Sequence, residues 1–369
     1  MVRILQVLPT LNVCGGVENY LMNYCLRLDR EKIYCDFAVS AVEDDFFVKK
    51  IEEIGGNVYC IPIFSLSKLK SNLKKIDELL EKGNYDIIHC HQANAAWFYF
   101  KAAKKRGIQC RILHSHQAAA ADKLTHKIRN KPLLWLGKKY TTENFACSRL
   151  AGDYLYKKKP YVVINNAIDT AKFAFDKGVR KEVRQELGID ESAFVVGHIG
   201  RFCNQKNQLF LIDVFSELIK IEPNAKLLLV GGGEQLEECK RRVEEKGLEK
   251  SVIFTGVRTD AYRLYQAMDV FAMPSLYEGL PVVGVEAQAA GLPLVVSDRV
   301  TKELTILPET KYLSLKAGKE RWAQELIQTK GRERGDESEQ VRAAGFDIEK
   351  ESISLAKRYS ALKEKTENL

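Results

Sequence analysis

Three short stretches hold the residue types whose spacing permits chemistry, and each follows an apolar run. The densest spans residues 274–288, PSLYEGLPVVGVEAQ. Glu278 falls in a loop and Glu286 inside the helix that the loop opens, so the two carboxylates address different parts of one ligand. Gly279 and Pro281 shape the turn. The amides near Leu280, Val282 and Val283 then sit at a helix start, where unpaired N–H groups favour phosphate. Carboxylates in turn accept charge-assisted hydrogen bonds from sugar or ribose hydroxyls. The second stretch, residues 200–207, reads GRFCNQKN. Arg201 and Lys206 bring two cations to one loop, a planar fork and a point charge, and both suit a pyrophosphate. On spacing alone, two solvated surface charges fit equally well. The third stretch, CGGVE at residues 14–18, precedes a helical run. Gly15 and Gly16 let backbone amides approach a ligand with no Cβ in the way, although plain turn chemistry explains the same pair. The pattern is neither G-x-G-x-x-G nor a Walker loop, so neither a dinucleotide nor an ATP site is supported.

The histidines form two H-x-H pairs, His89 with His91 and His114 with His116, each at the end of a candidate strand. Alternate strand residues share a face, so each pair is able to chelate a metal in principle. No carboxylate or cysteine set accompanies them at ligand spacing, which favours hydrogen bonding to a substrate over a metal site. His89 and His114 read as satisfied buried side chains, and nothing distinguishes His126 or His198. Nine cysteines, odd in number and without a C-x-x-C pair, form no disulfide framework. Cys35, Cys60, Cys90 and Cys110 lie in apolar segments and read as buried thiols of a reducing compartment.

The net charge of +8 is uneven. Residues 1–165 carry 26 basic against 16 acidic side chains, and the remainder 31 against 33. Something anionic is therefore expected to meet the first half. The basic residues lack the aromatic interleaving of a single-strand binder, and no nucleic-acid-binding signature is present, which argues against nucleic acid. An anionic membrane surface or a phosphorylated lipid substrate fits better. Residues 123–139, KLTHKIRNKPLLWLGKK, mix six basic residues with Leu, Ile and Trp, as interfacial segments do; a solvated helical face is the alternative. No run approaches eighteen apolar residues, and residues 1–10 read as a buried strand rather than a signal peptide, so a cytoplasmic location is expected.

The elements that must position these groups alternate. Candidate strands lie at residues 4–9, 35–40, 57–62, 86–91, 111–114 and 144–147, then at 194–200, 226–230, 252–255, 270–273 and 294–296. Helical periodicity separates them, as at residues 66–82 with Leu69, Leu73, Ile76 and Leu80. Such alternation predicts an α/β protein with two doubly wound parallel-sheet domains facing a central cleft, their ligands outside the strands' carboxyl ends. The expected domains are residues 1–165 and 166–346, with a short strand at 162–166 near the boundary. Residues 331–340 look like a surface loop, and residues 347–365 like a final helix with Ile353, Leu355, Ala356, Tyr359 and Leu362 as its apolar stripe.

With these motifs in order, the run EGLPVVGVEAQAAGLP resembles the E-x7-E segment of the retaining glycosyltransferases of family 4, which have the GT-B fold of two Rossmann-like domains. GGVE, GRFCNQKN and the terminal helix also fall where that family has its donor loop, its phosphate-binding Arg/Lys pair and its crossover helix. The combination looks most like the EpsF-like enzymes of exopolysaccharide or capsule assembly. The resemblance implies a nucleotide-sugar donor, UDP more readily than GDP, a saccharide or lipid-diphosphate-linked acceptor held by the first domain, and no metal or other cofactor. It implies that Gly15 and Gly16 meet the donor diphosphate, that Arg201 and Lys206 neutralise it, and that Glu278 binds the sugar and Glu286 the ribose. Gly279, Leu280, Pro281 and Val282 would line the donor, Val257 and Arg258 would hold the base, and His116 would contact the sugar near the reaction centre. Asn166-Ala167-Ile168-Asp169 departs from the family's Asn-Gly-x-Asp. A sugar-nucleotide 2-epimerase of the same fold, or a catalytically idle scaffold of a polysaccharide-assembly complex, are the alternative functions.

Overall fold

A computed structural model describes residues 1–13, 15–117 and 124–367, with residues 66 and 124–129 described by backbone only. The chain divides into two compact units, Met1–Asn165 with Ile348–Leu369, and Asn166–Asp347. In the first unit seven strands form one parallel sheet: β1 (Val2–Leu11), β2 (Ile33–Val42), β3 (Val58–Cys60), β4 (Ile87–Cys90), β5 (Cys110–Ser115), β6 (Glu143–Ala146) and β7 (Val162–Val163). Their order is β3-β2-β1-β4-β5-β6-β7. The second unit holds β8 (Val195–Ile199), β9 (Lys226–Val230), β10 (Val252–Gly256), β11 (Val270–Met273), β12 (Leu294–Ser297) and β13 (Thr310–Leu313), in the order β10-β9-β8-β11-β12-β13.

Strands such as KLLLV and VFAM are continuous apolar runs because helices cover both faces of a parallel sheet. Phe271, Leu227 and Leu229 are fully enclosed, and each such side chain contributes roughly 1.5–3 kcal/mol. Strand order reverses between β1 and β4 and again between β8 and β11. These are the topological switch points, outside whose carboxyl ends open α/β sheets bind ligands. The GGVE motif follows β1 and the His pairs end β4 and β5; Arg201 follows β8 and the Glu278 loop follows β11.

Several expectations change in detail. Cys60 is exposed, because β3 is an edge strand, and is not a buried thiol. Leu73 is exposed while Ile76, Leu79 and Leu80 carry the buried face of the helix Leu69–Gly83. The final helix runs Ile348–Glu367 and buries Ile348, Ser352, Leu355 and Tyr359. Ile353 is 58 % exposed, since that buried spacing turns position 353 outward. Residues 331–340 are not wholly a surface loop: Arg334 reaches inward, stacks over Phe175 and donates to the carbonyls of Gln266 and Met268.

Candidate active site

In the second unit the loop after β8 and the loop after β11 are stitched together. The Leu276 amide donates to the Gln205 carbonyl at 2.8 Å, and the Gln205 side chain donates to the Tyr277 carbonyl at 3.0 Å and to Glu278 Oε2 at 3.2 Å. Asn207 Nδ2 donates to the Pro274 carbonyl at 3.1 Å. Asn207 itself has φ +59, a left-handed conformation that Asn tolerates, and it precedes the helix Gln208–Ile221 without a side-chain capping bond. Lys206 Nζ lies 2.6 Å from Glu278 Oε1, both side chains largely enclosed at 17 % and 8 % exposure. Glu278 thus accepts one hydrogen bond on each oxygen and retains acceptor capacity on both.

Arg201 stands apart from that pair. Its guanidinium is half-exposed and meets Glu234 at 3.2 Å, a contact worth about 0–1 kcal/mol. Glu234 follows the Gly231-Gly232-Gly233 turn, which packs against the Arg201 loop so closely that a Cβ on Gly231 would lie 2.2 Å from the Gly200 carbonyl oxygen. A Cβ on Gly233 would lie 2.5 Å from the Phe202 carbonyl oxygen. Both glycines have φ above +130, so their lack of a side chain serves conformation and space alike. His198, in β8, braces the same loop. Its Nδ1 donates to the Ala272 carbonyl at 2.8 Å, and its Nε2 accepts from Gln208, which also donates to the Arg201 carbonyl.

Glu286 lies one helical face further, in the helix Val282–Ala289. Tyr265 donates to it at 2.8 Å, and burial lifts its carboxyl to about 7. Gly279, Leu280, Pro281 and Val282 are buried at the helix start, where the Leu280 carbonyl accepts from the Asn166 side chain. Val257 is half-exposed beside Gly232. The Arg258 guanidinium is committed to Asp260, at 2.7 Å through two nitrogens, and to Glu186 at 2.9 Å.

In the first unit, Gly15 and Gly16 differ sharply. A Cβ on Gly15 would collide with the Glu18 carboxylate at 2.1 Å, which is folded back to accept from Thr10. A Cβ on Gly16 would meet nothing within 4 Å, so open space lies beside that residue. The four histidines at the ends of β4 and β5 lie ring over ring in two pairs, His89 with His91 and His114 with His116. His89 Nε2 lies 3.1 Å from His114 Nδ1, and His91 Nδ1 lies 2.9 Å from His116 Nε2. Behind them Gln6 and Tyr359 are fully buried, Gln6 Oε1 being 2.9 Å from His91 Nε2 and the Tyr359 hydroxyl 2.7 Å from His89 Nδ1. His91, His114 and His116 line a cavity of about 240 Å³ with Asn94, Asn130 and Tyr154. Burial pushes His116 down to about 3 and the other three well below the usual histidine range, so all four rings are neutral at pH 7.

Nitrogens of His89, His91 and His114 lie within 4.8 Å of one another, which raises a metal. The stacking speaks against one. Rings 89 and 91 are 4.2 Å apart and rings 114 and 116 are 4.0 Å apart. An ion between the layers would sit out of the ring planes, whereas imidazole lone pairs lie in the plane and here point across to the opposite strand.

The motif residues Lys206 and Glu278 are therefore in direct contact, and Arg201 and Glu286 belong to the same unit. Sequence reading gave no role to Gln205 or Asn207 within GRFCNQKN or to Tyr359 beyond its apolar stripe, and did not single out Gly231–Gly233, Tyr265 or Gln6. Only the triple glycine after a strand carried a visible signal.

Two family models match: Glycosyltransferase Family 4 over residues 14–172, and Glycosyl transferases group 1 over residues 193–329. The chain belongs to glycosyltransferase family 4. It is 29% identical to EpsF of Bacillus subtilis (strain 168), over 99% of this chain and 98% of EpsF. It is 32% identical to the UDP-Gal:alpha-D-GlcNAc-diphosphoundecaprenol alpha-1,3-galactosyltransferase of Escherichia coli, over 63% of each chain. Among solved structures, Anabaena HepE, in complex with UDP and glucose, superimposes with a TM-score of 0.81 at 20% identity, covering 98% of this chain and 100% of that one. The family 4 fold is GT-B, which agrees with two parallel-sheet α/β units, and the protein is a glycosyltransferase.

Proposed function

We propose that this glycosyltransferase transfers a sugar from a UDP-sugar to a saccharide or lipid-diphosphate-linked acceptor in exopolysaccharide or capsule assembly, with retention and without a metal. The observation that carries this reading is the Lys206–Glu278 pair, 2.6 Å apart at the carboxyl edge of the second sheet. A departing diphosphate needs cationic stabilisation as charge develops on it, and fixed groups already in place supply that without reorganising. Lys206 is one such group. Arg201 is the second, since its exposed contact with Glu234 is weak enough for a phosphate to displace. The remaining acceptor capacity of Glu278 suits sugar hydroxyls, Glu286 suits the ribose, and the helix start near Leu280 and Val282 suits phosphate oxygens. Val257 and the Arg258 backbone would border the base. In the first unit, Gly15 shapes the loop that frees the Gly16 amide for the diphosphate, and His116 serves the sugar.

The anomeric C–O bond to UDP breaks while an acceptor hydroxyl attacks the same face through an oxocarbenium-like state and passes its proton to the departing diphosphate oxygen, so the anomeric configuration is kept. EpsF similarity and the diphosphoundecaprenol in the E. coli relative's name support a polysaccharide role and a lipid-linked acceptor. The basic first half supports contact with an anionic membrane face, and a place on its cytoplasmic side follows from the nucleotide donor. A panel of nucleotide sugars, screened by thermal shift and then by transfer assay, tests the donor, because a bound donor stabilises the native state. Transfer with a UDP-sugar, undiminished in excess EDTA and with retained configuration by NMR, is the expected result. Strict dependence on a divalent ion would overturn the metal-free reading.

A further inference from the structure

The hydrogen bonds behind the histidine array have a direction, and it is set by one buried amide. Gln6 Oε1 only accepts, so His91 Nε2, 2.9 Å away, carries the proton. A neutral ring protonated at Nε2 is bare at Nδ1, so His116 Nε2, 2.9 Å from that atom, must donate to it. His116 is then bare at Nδ1. The other end of the amide carries its nitrogen. Gln6 Nε2 faces Cys35 Sγ at 3.8 Å and the Tyr359 hydroxyl at 3.5 Å. The Tyr359 oxygen accepts there when its single hydrogen lies toward His89 Nδ1, 2.7 Å away; His89 Nε2 then donates to His114 Nδ1, and His114 Nε2, a buried atom with no partner among the described residues, carries the last proton. Reversing the Gln6 amide would reverse both chains and leave a proton on His116 Nδ1 instead.

We propose that Gln6 is a positioning residue that fixes the tautomer of His116 through His91, so that His116 offers an unprotonated Nδ1 to a hydroxyl of the bound sugar. Of the four rings, His116 is the one that keeps appreciable accessible surface, and it lines the cavity. A lone pair there accepts from a sugar hydroxyl and repels phosphate oxygen, which has no hydrogen to give. The ring selects a hydroxyl. Tyr359 holds the amide from behind, which explains why a tyrosine of the terminal helix is fully buried against β1 and β4. The use of this lone pair rests on the proposed sugar contact of His116; the tautomer itself does not.

Long-range proton–nitrogen NMR on protein labelled with 15N-histidine, the His116 signals assigned by their loss in His116→Gln, reads the tautomer directly. The expected spectrum has His116 protonated at Nε2 and bare at Nδ1 from pH 5 to 8. In Gln6→Met that preference should disappear, with kcat for transfer falling about tenfold or more while KM for the UDP-sugar moves less. Gln6→Glu, whose oxygens only accept once the carboxyl is ionised, should restore the Nε2–H form at the alkaline end of that range. A wild-type His116 protonated at Nδ1 would overturn the inference, as would an unchanged tautomer in folded Gln6→Met. Because the wild-type spectrum suffices for the first of these, a variant that fails to fold leaves the inference testable. Full transfer activity in His116→Ala would instead overturn the sugar contact, with the tautomer result unaffected.

Discussion

Lys206 and Glu278 hold each other in place before any donor arrives, and that makes their removal unequal. Without Lys206 the departing diphosphate loses a fixed cation, so Lys206→Ala should lower kcat by roughly 10²–10³, as loss of one preorganised donor does elsewhere. Donor affinity should fall far less, since binding also uses Arg201 and the helix start. The same change strands the 8 %-exposed Glu278 carboxylate, and breaking an enclosed ion pair costs up to about 3–5 kcal/mol. Lys206→Arg should recover much of the melting temperature but not the rate, because the longer fork cannot occupy the same point. A steady-state assay beside calorimetry separates the two effects, and an affinity loss with kcat intact would contradict the transition-state role. Glu286 offers a pH readout at the same scale. Burial raises its carboxyl from 4.5 to about 7, with Tyr265 and Lys172 pulling the other way. Between those values the folded chain keeps a proton that the unfolded chain has shed. This group's contribution therefore falls as pH rises from about 4.5 to 7, by up to about 3 kcal/mol. Donor binding runs the opposite way, because ribose hydroxyls donate best to the ionised form. UDP affinity measured by titration calorimetry should rise from pH 6 to 8, and Glu286→Gln should flatten that rise.

Elements determine which glycine matters for what. Gly16 opens the helix Gly16–Cys25 with empty space where a Cβ would be, so Gly16→Ala should leave the melting temperature level or slightly higher, helix propensity favouring Ala by about 1 kcal/mol. UDP-sugar binding should nonetheless weaken, since the methyl fills the approach to the amide. Gly231→Ala should do the reverse of neutral: its φ of +133 and a backbone oxygen at 2.2 Å force the Arg201 loop away, costing about 2 kcal/mol or more. Thermal melts and UDP titrations of both variants check the contrast. Legibility follows a similar division. Strands β9 and β11 could be read to the residue because buried parallel strands are uninterrupted apolar runs. TKYL, which forms β13, escaped notice because it is a four-residue edge strand with an exposed Lys311. The ends of the site were visible as Arg, Lys, Glu and Gly just after strands. Their partners were not, because contacts such as Lys206 with Glu278, 72 residues apart, or Gln6 with Tyr359, 353 apart, leave no local pattern. Ile353 and Tyr359 look alike in the helical stripe, and tertiary packing alone sends one outward and the other against the histidines.

At the scale of the molecule, the +8 charge is concentrated in the first 165 residues and has a candidate place to act. The helix Leu124–Tyr140 puts Lys131, Trp135 and Lys139 four residues apart, on one face, and all three are exposed. Trp135 is 67 % exposed, an unusual state for a side chain that large. An indole flanked by two ammonium groups would suit the headgroup level of a bilayer, where the ring would enter the interface and the lysines would remain with anionic lipids. No helix among the described residues is long and apolar enough to cross a membrane, so any contact through this face is a surface contact. Each basic residue near an anionic surface adds about 1 kcal/mol, and that term decays within a Debye length of about 8 Å at physiological salt. Vesicles containing phosphatidylglycerol should therefore co-sediment with the protein at low salt and release it near 0.5 M, on the order of the range where such attraction is screened. Neutral phosphatidylcholine vesicles should not hold it. Trp135→Ala should weaken binding through lost apolar contact without changing the salt dependence, whereas Lys131→Glu with Lys139→Glu should abolish it. Equal binding to neutral and anionic vesicles would refute an electrostatic docking face and leave the basic half to bind a charged acceptor in solution.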